Sequence, residues 1–308
     1  MAFGQRVISN ALSAVMVIWL AATLAFFALR VVPGDAITAQ LANSGASQAQ
    51  IEQRRIDEGL DVPVPMQYLR FMGGLLRGDL GRSLANGQPV TQLISEQLGP
   101  TMILATAAFM VATLLGVSLG IFGALDLQPG ISAGSRLLIS FALSTPIYLT
   151  GTIAIFVFTV QLGLLPSAGS GRLSQLILPA AVLGFHTSGA IAQVMQASVS
   201  EVLGADFVMT ARSKGLSELR IVIYHIVRVA IVPVISVLAL QAGFLFSGTV
   251  ITESLFVRSG VGRLLLQAVI GQDYTVVQGI VILSAVIYVC ANSLSNAVAY
   301  WLDPRLAR

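Results

Sequence analysis

Six stretches of this sequence contain no aspartate, glutamate, lysine or arginine, and each is 23 to 29 residues long. A helix needs about 20 predominantly apolar residues to cross the hydrocarbon core of a bilayer. Each stretch is therefore long enough to span a membrane, and we predict an all-α integral membrane protein with six transmembrane helices. The stretches are residues 7–29, 101–125, 137–165, 176–199, 229–251 and 276–302.

The composition excludes the main soluble classes of protein. Hydrophobic residues make up 56% of the 308 and charged residues 10%, whereas a soluble domain is about 25% charged. With Cys290 as the only cysteine, neither an intrachain disulfide nor a multi-cysteine metal site can form. The basic residues are scattered, which argues against a nucleic-acid partner. We expect a single membrane domain over residues 1–308, with the first stretch retained because it exceeds the roughly 7–15 apolar residues of a signal peptide.

Lysine and arginine orient the chain in the bilayer. With the N-terminus in the cytoplasm, eight basic residues fall in the short inside segments and three in the short outside loops. Cytoplasmic loops carry such an excess, so we expect both termini in the cytoplasm. Two segments hold 20 of the 31 charges. Residues 30–98 are predicted to be an extracytoplasmic segment of short helices and turns, and residues 200–228 the largest cytoplasmic loop, where we expect a soluble partner to bind.

The six stretches lack the groups that drive chemistry within a membrane. Ion coupling usually needs an intramembrane acid or base, and these stretches contain none. Lys214 is the only lysine and is followed by Gly215, so a GxxxxGK(S/T) phosphate loop is absent. We therefore predict no enzymatic activity, no metal and no cofactor in this chain, and any drive from ATP must come from another polypeptide. Candidate side chains for lining a solute pathway are Gln193, Gln196, Gln241 and Ser247.

Small residues and prolines within the stretches predict how the helices pack and bend. Gly116 and Gly120 form a GxxxG step, which lets two helices approach closely. Pro146 and Pro233 are expected kink sites. His186 has no neighbour at metal-ligand spacing, so we interpret it as a packing residue with satisfied hydrogen bonds.

The loop at residues 200–228 contains the signals of a short, capped helix at residues 205–214. Asp206 near its start and Arg212 and Lys214 near its end complement the helix dipole. Gly215 is placed for the left-handed conformation after a helix end, and Ser217 for capping the next helix. We expect Phe207, Ala211 and Lys214 to share one side and to form a small apolar knob. Such a helix can dock into a cleft of a partner or lie on lipid headgroups.

The sequence resembles a known family: the permease subunits of bacterial binding-protein-dependent ABC importers, and most closely the first permease of dipeptide and oligopeptide systems. The resemblance covers nearly the whole chain. Its motifs are Pro33-Gly34-Asp35, Gly59-Leu60-Asp61-x-Pro63, Gln67-Tyr68, Gly78-Asp79-Leu80-Gly81-x-Ser83, Pro89-Val90, Pro100-Thr101, Ile177-Leu178-Pro179-Ala180, Asp206-Phe207-x-x-Thr210-Ala211-Arg212-x-Lys214-Gly215-Leu216, His225, Arg228, Glu253-Ser254-Leu255-Phe256, Gly260-Val261-Gly262, Asp273-Tyr274, Val277-Gln278-Gly279 and Asp303-Pro304-Arg305.

The resemblance implies a type I importer fold in the bacterial cytoplasmic membrane, with a coupling helix in the cytoplasmic loop. It also implies partners: a second permease, two ATPase modules that bind ATP and Mg²⁺, and an extracytoplasmic solute-binding protein received at loops 163–175 and 253–274. The implied ATPase-coupling residues are Asp206, Phe207, Thr210, Ala211, Arg212, Lys214, Gly215 and Leu216.

Three positions depart from the family pattern. Val229 stands where an asparagine usually follows the arginine. Met209 stands where the coupling signature usually has an acid, and Asn296 stands where the last span often has an aspartate. The implied function is ATP-driven import of di- and oligopeptides. The alternatives are the same class of importer for nickel, haem or glutathione, or a self-sufficient secondary carrier or channel.

Overall fold

The computed structural model describes residues 3–31, 61–125 and 129–302, together with positions 47, 49, 52, 53 and 56. The motifs at 33–35, 59–60 and 303–305 lie outside these residues. Apart from one isolated β-bridge between Arg82 and Pro89, the regular structure described is helical. The α-helices are α1 (Phe3–Val31), α2 (Val64–Leu75), α3 (Val90–Ala124), α4 (Pro129–Ser144), α5 (Ile147–Ala154), α6 (Ser174–Leu203), α7 (Asp206–Ser213), α8 (Glu218–Ile221), α9 (Val227–Leu255), α10 (Val261–Ile270) and α11 (Tyr274–Leu302).

Five of the helical stretches are long and apolar enough to cross a membrane, and they coincide with five of the six predicted spans. A π-helical segment, Val222–Ile226, joins α8 to α9, so the fourth of them is continuous over 38 residues. The five stretches are Ala11–Ala28, Val90–Ala124, Ser174–Leu203, Glu218–Leu255 and Tyr274–Leu294.

The predicted third span, residues 137–165, is not one straight helix. Helix α4 and the segment from α5 through the π-helical Ile155–Gln161 meet at an angle of 110°. Pro146 is the cause, since it has an extended ψ of 137° and begins α5 as its N-cap. Proline offers no N–H to the preceding turn and disfavours helical geometry at the residue before it. Pro233, by contrast, lies within the continuous helix α9.

The chain forms two compact units. The first comprises residues 1–99 and 260–289. Within it, the Asp273 carboxylate accepts hydrogen bonds from the Ser83 hydroxyl and from the backbone N–H groups of Leu84, Ala85 and Val276. Asp273 thus caps the start of α11 and also holds the loop that precedes α3. Two sequence motifs 190 residues apart, Gly78–Ser83 and Asp273-Tyr274, therefore belong to one hydrogen-bonded structure.

The second unit comprises residues 100–259 and 290–308, and α6 is its central helix. Helix α6 packs against α4, α5 and α9. The predicted GxxxG step packs against α6 as well, because a Cβ added at Gly116 would lie 2.7 Å from Ile191 Cβ, and one at Gly120 would lie 2.5 Å from Met195 Cβ. This close approach of α3 and α6 confirms the interpretation of the two glycines as packing residues.

The largest apolar cluster described in the second unit lies where α6, α7 and the Glu218–Leu255 helix meet. It fixes the ends of two long helices and the short helix between them in one core. Its buried members are Ala112, Leu125, Ile191, Met195, Val199, Val208, Ala211, Ile221, Val222, Ile226, Ala230 and Val234.

Candidate functional site

The loop at 200–228 folds as a short helix with a defined stop. Ala205 is extended, and α7 begins at Asp206, whose carboxylate stands in the first turn. At the other end, Gly215 has φ +74°, its N–H donates to the Arg212 carbonyl, and the Leu216 N–H reaches the Ala211 carbonyl at 3.4 Å. This pair of hydrogen bonds is a Schellman motif, in which glycine takes the left-handed position at least cost. The roles predicted for Asp206 as a helix start and Gly215 as a helix stop are confirmed.

The connection from α7 to α8 differs in one detail from the expectation. Ser217 occupies the N-cap position of α8 with extended geometry, but its side chain makes no capping hydrogen bond. A bidentate ion pair joins the two helices instead, with Arg212 Nε 2.8 Å from Glu218 Oε1 and Arg212 Nη2 3.2 Å from Oε2. The hydrogen bond and the charge of Glu218 raise the pKa of Arg212. The guanidinium therefore carries its charge at physiological pH.

One side of α7 faces the interior of the protein. Val208 is fully buried and Ala211 is 5% exposed, and both belong to the apolar cluster described above. The prediction that Phe207, Ala211 and Lys214 form an apolar knob is therefore wrong for Ala211, which packs inward and cannot contact a partner. Leu216 packs against the same cluster. Ala211, Gly215 and Leu216 thus hold the helix in place and present no side chain outward.

The opposite side of α7, which we call the outer face, consists of Asp206, Met209, Thr210 and Ser213. All four are exposed, and their spacing of three, four and seven places them on one side of a helix. Thr210 and Ser213 donate their hydroxyls to backbone carbonyls one turn earlier. The outer face is consequently less polar than its sequence indicates, with Met209, 68% exposed, at its centre.

Phe207 and Lys214 are also exposed and border the outer face. Met209 and Ser213 were not among the predicted site residues. Their helical spacing from Asp206 and Thr210 was the sequence signal that could have identified them.

The pathway candidates occupy two kinds of environment. Gln193 and Ser247 are exposed on α6 and α9. Gln196 and Gln241 are half-buried, and each donates a long hydrogen bond of 3.5 Å to a backbone carbonyl, of Gly123 and Thr187 respectively. Their amides therefore bridge helices within the second unit.

The two histidines also differ from each other. His186 contacts the Thr150 hydroxyl through Nε2 at 2.6 Å and the Ala142 carbonyl through Nδ1 at 3.0 Å. Both ring nitrogens have partners, as expected for a packing residue. His225 lies in the π-helical segment, and its buried Nδ1 has no hydrogen-bond partner among the residues that the structure describes.

A buried arginine organises the predicted outer loop at 163–175. Arg258 is 3% exposed, and its Nη1 donates to the carbonyls of Gly169 at 3.2 Å and Gln175 at 2.7 Å. The Gly169 N–H in turn donates to the Phe256 carbonyl. Burial lowers the pKa of Arg258, and the nearby charge of Glu253 opposes that shift. The segment following α9 and the 163–175 loop are therefore joined as one structure.

Glu253 departs from the sequence expectation that it lies in a loop. Helix α9 extends to Leu255, so Glu253 belongs to its last turn, where it is fully buried. The Thr101 hydroxyl donates to its Oε1 at 2.6 Å. Helix α9 is thus four residues longer at its C-terminal end than the predicted stretch 229–251, and the added turn contains a buried carboxylate.

Comparisons with known proteins give the family of the chain. Residues 112–308 match the family described as binding-protein-dependent transport system inner membrane component, and residues 5–105 match the family of its N-terminal part. A protein of Brucella abortus (strain 2308), provisionally named a peptide transport system permease protein, is 33% identical over 308 residues, with 97% of this chain and 98% of that protein covered. A glutathione transport system permease protein of Pectobacterium atrosepticum is 34% identical over 284 residues, with 92% of each chain covered.

Solved structures support the fold. An amino acid ABC transporter crystallised with histidines aligns with a TM-score of 0.53 at 17% identity, over 68% of this chain and 94% of that chain. An inward-facing methionine ABC transporter aligns with a TM-score of 0.58 at 14% identity, over 68% of this chain and 96% of that chain. The predicted type I importer architecture is confirmed. The chain belongs to the binding-protein-dependent transport system inner membrane component family and is a membrane-spanning permease subunit of an ABC importer.

Proposed function

We propose that this permease forms half of the translocation pathway of an ATP-driven importer for di- and oligopeptides, with α7 as its coupling helix. The observation that carries the coupling role is the placement of α7. Its inner residues are fixed in a core, its outer face is exposed, and it connects the 30-residue α6 to the 38-residue Glu218–Leu255 helix. A displacement applied at the outer face would reach two spans directly.

In this proposal a second permease completes the pathway, and a solute-binding protein delivers the peptide at the side of loops 163–175 and 253–274. Two ATPase modules hold ATP and Mg²⁺, and this chain itself catalyses no reaction. Both termini lie in the cytoplasm, as the distribution of basic residues favours. Gln193 and Ser247, which are exposed on long helices, are the pathway residues best placed to contact solute.

The coupling helix has to transmit force in both directions, which requires that it be held at both ends. The Schellman motif at Gly215 and the Arg212–Glu218 pair hold its C-terminal end, and the Val208 and Ala211 contacts hold its base. Met209 and Phe207 supply apolar surface for a groove in the ATPase, while Asp206 and Lys214 supply flanking charges. Met209 takes the place of the acid common in the family, so here the central contact is apolar.

Substitution of Met209 by arginine tests the coupling role. Because Met209 is exposed and outside the core, Met209→Arg should leave folding intact while it places a charge at the centre of the outer face. We expect transport and substrate-stimulated ATPase activity to fall at least about tenfold, which corresponds to about 1.4 kcal/mol of lost interaction, with an unchanged melting temperature.

Leu219→Arg is the matched control, since Leu219 is 71% exposed in the same loop but lies on α8. Equal losses at the two positions would contradict the assignment of the outer face. Ala211→Arg is unsuitable for this purpose, because it would disrupt the core.

The solute is tested by reconstituting the complex in proteoliposomes and measuring ATP-dependent uptake of labelled dipeptides and tripeptides. Glutathione is the second candidate, because a relative that is 34% identical bears that name. If the complex takes up glutathione and unmodified peptides do not compete with that uptake, the solute is glutathione and the peptide proposal is wrong. Uptake by this chain alone without ATP would overturn both and favour a secondary carrier.

A further inference from the structure

Helix α2 in the first unit has two apolar sides, and one of them packs on α1. Tyr68 forms ring contacts with Phe26 and Phe27, and its hydroxyl lies 2.8 Å from the Thr23 hydroxyl. Phe71 stacks on Phe26 with ring centroids 5.4 Å apart. These contacts attach α2 firmly to the first span.

The other side of α2 is apolar and exposed. Met66, Leu69 and Leu76 are 49%, 63% and 90% exposed. Their spacings of three and seven residues place them on one side of the helix, and Leu76 continues the helical track with φ −65° and ψ −20°. Arg70 and Arg77, also exposed and seven residues apart, border this side. We call these five residues the exposed face of α2.

The contacts with α1 place α2 at a defined depth. Thr23, Phe26 and Phe27 lie near the end of the charge-free stretch 7–29, which Arg30 follows. At 1.5 Å per residue, Phe26 and Phe27 are within about 5 Å of the C-terminal end of that stretch. Helix α2 therefore lies at the level where acyl chains meet headgroups.

We propose that α2 is an interfacial helix, which inserts Met66, Leu69 and Leu76 into the leaflet at the C-terminal end of α1 and contacts phospholipid phosphates through Arg70 and Arg77. Leu20, Leu24 and Phe27 of α1 are also exposed, so α1 itself presents apolar surface to lipid along the stretch on which α2 packs. Amphipathic helices with basic borders bind bilayers in this way, and arginine stems extend along apolar surface towards the phosphates. The proposal is independent of the transported solute.

Spin-label accessibility tests the depth of α2 in the assembled transporter. In a Cys290→Ser background, cysteines at Leu69, Leu24 and Ala85 carry the label in nanodiscs of phosphatidylethanolamine and phosphatidylglycerol. Leu24 is the lipid control, and Ala85, exposed in the 78–89 loop, is the water control. We expect the label at position 69 to collide with oxygen several-fold more than with nickel ethylenediaminediacetate, as at position 24. Behaviour like position 85, or protection from both reagents by a covering protein, would overturn the proposal.

The two arginines are tested by native mass spectrometry of retained phosphatidylglycerol. One basic residue near an anionic membrane surface contributes on the order of a fivefold change in binding. We expect R70Q/R77Q to retain at least about twofold less phosphatidylglycerol than the wild type, and the control Arg172→Gln to retain the same amount. Equal retention by R70Q/R77Q and Arg172→Gln would overturn the phosphate contact.

Discussion

Two of the buried charged side chains, Arg258 and Asp273, are 3% and 5% exposed. Each follows a residue with positive φ, Val257 at +48° and Gln272 at +54°. A side chain in the left-handed region costs about 1–2 kcal/mol, so the backbone is strained at both places. The hydrogen bonds that the buried charges make offset this strain and explain why the two turns persist.

Substitution of Arg258 should release the 163–175 loop. In Arg258→Ala the carbonyls of Gly169 and Gln175 lose their donor, and each hydrogen bond to a charged group contributes about 1.5–3 kcal/mol. We expect trypsin cleavage at Arg172 to become at least about tenfold faster. Lysine lacks the planar fork of arginine, so Arg258→Lys should give an intermediate rate. Wild-type cleavage rates in the alanine variant would show that the loop is held by other contacts.

At the scale of elements, four of the described helices end in the same way. Helices α7, α2, α9 and α10 each close with a Schellman motif, whose left-handed residues are Gly215, Gly78, Val257 and Gln272. In the last two, the next residue is the buried Arg258 or Asp273. The same backbone motif therefore ends α7 and α2 and also positions two buried charges.

Replacing glycine by alanine at position 215 should lower the stability, whereas replacing valine by glycine at position 257 should raise it. A Cβ added at Gly215 meets no atom within 4 Å, so Gly215→Ala tests the backbone alone. We expect a loss of about 1 kcal/mol, and for Val257→Gly a gain of up to about 1 kcal/mol because the strain is relieved. The measurement is the melting temperature in detergent, with shifts of about 2–4 °C. Shifts of the same sign in both variants would contradict this explanation.

Sequence reasoning identified only the first of these motifs. Gly215 marks a helix end by its residue type, whereas Val257 and Gln272 carry no such signal, because their left-handed geometry is imposed by the contacts of the following residue. The burial of Ala211 was missed for a similar reason, since packing against α6 and the Glu218–Leu255 helix sets the rotation of α7. Likewise, Pro146 breaks a helix and Pro233 does not, although the residue is the same.

The close packing of α3 on α6 gives a second prediction for elements. A Cβ at Gly120 would lie 2.5 Å from Met195 Cβ and 2.7 Å from the Ala192 carbonyl oxygen. Overpacking of this kind costs about 1–3 kcal/mol, so Gly120→Ala should lower the melting temperature. Gly134→Ala is the control, because Gly134 is helical and open to space, and there alanine should stabilise by about 0.5–1 kcal/mol. Equal effects of the two substitutions would argue against tight packing of α3 on α6.

At the scale of the whole molecule, the sequence predicted the class of fold but not its long-range contacts. The number of apolar stretches and the all-helical class followed from charge distribution alone, because a bilayer admits few alternatives. The joining of Gly78–Ser83 with Asp273-Tyr274 did not, since nothing local in either motif specifies a partner 190 residues away. Both motifs were recognised as family features, but only the structure gives their common physical role.

Asp273→Asn tests that role. The carboxylate accepts four hydrogen bonds, and an amide cannot accept all of them in the same geometry. We expect amide hydrogen exchange in residues 81–89 to accelerate at least about tenfold, because loss of one such bond costs about 1–3 kcal/mol. Asp79→Asn is the control, since Asp79 is exposed and accepts from the nearby Gly81 N–H. Exchange that accelerates equally in both variants would contradict a special role of Asp273.

The contact between Ser83 and Asp273 also has a consequence for biosynthesis. A ribosome that adds about 5–20 residues per second needs roughly 10–40 s to make the intervening chain. Throughout that interval the loop before α3 has been synthesised, while the carboxylate that organises it does not yet exist. The loop is thus completed only after most of the chain has been made, and a chain that ends before Asp273 lacks the carboxylate that orders it.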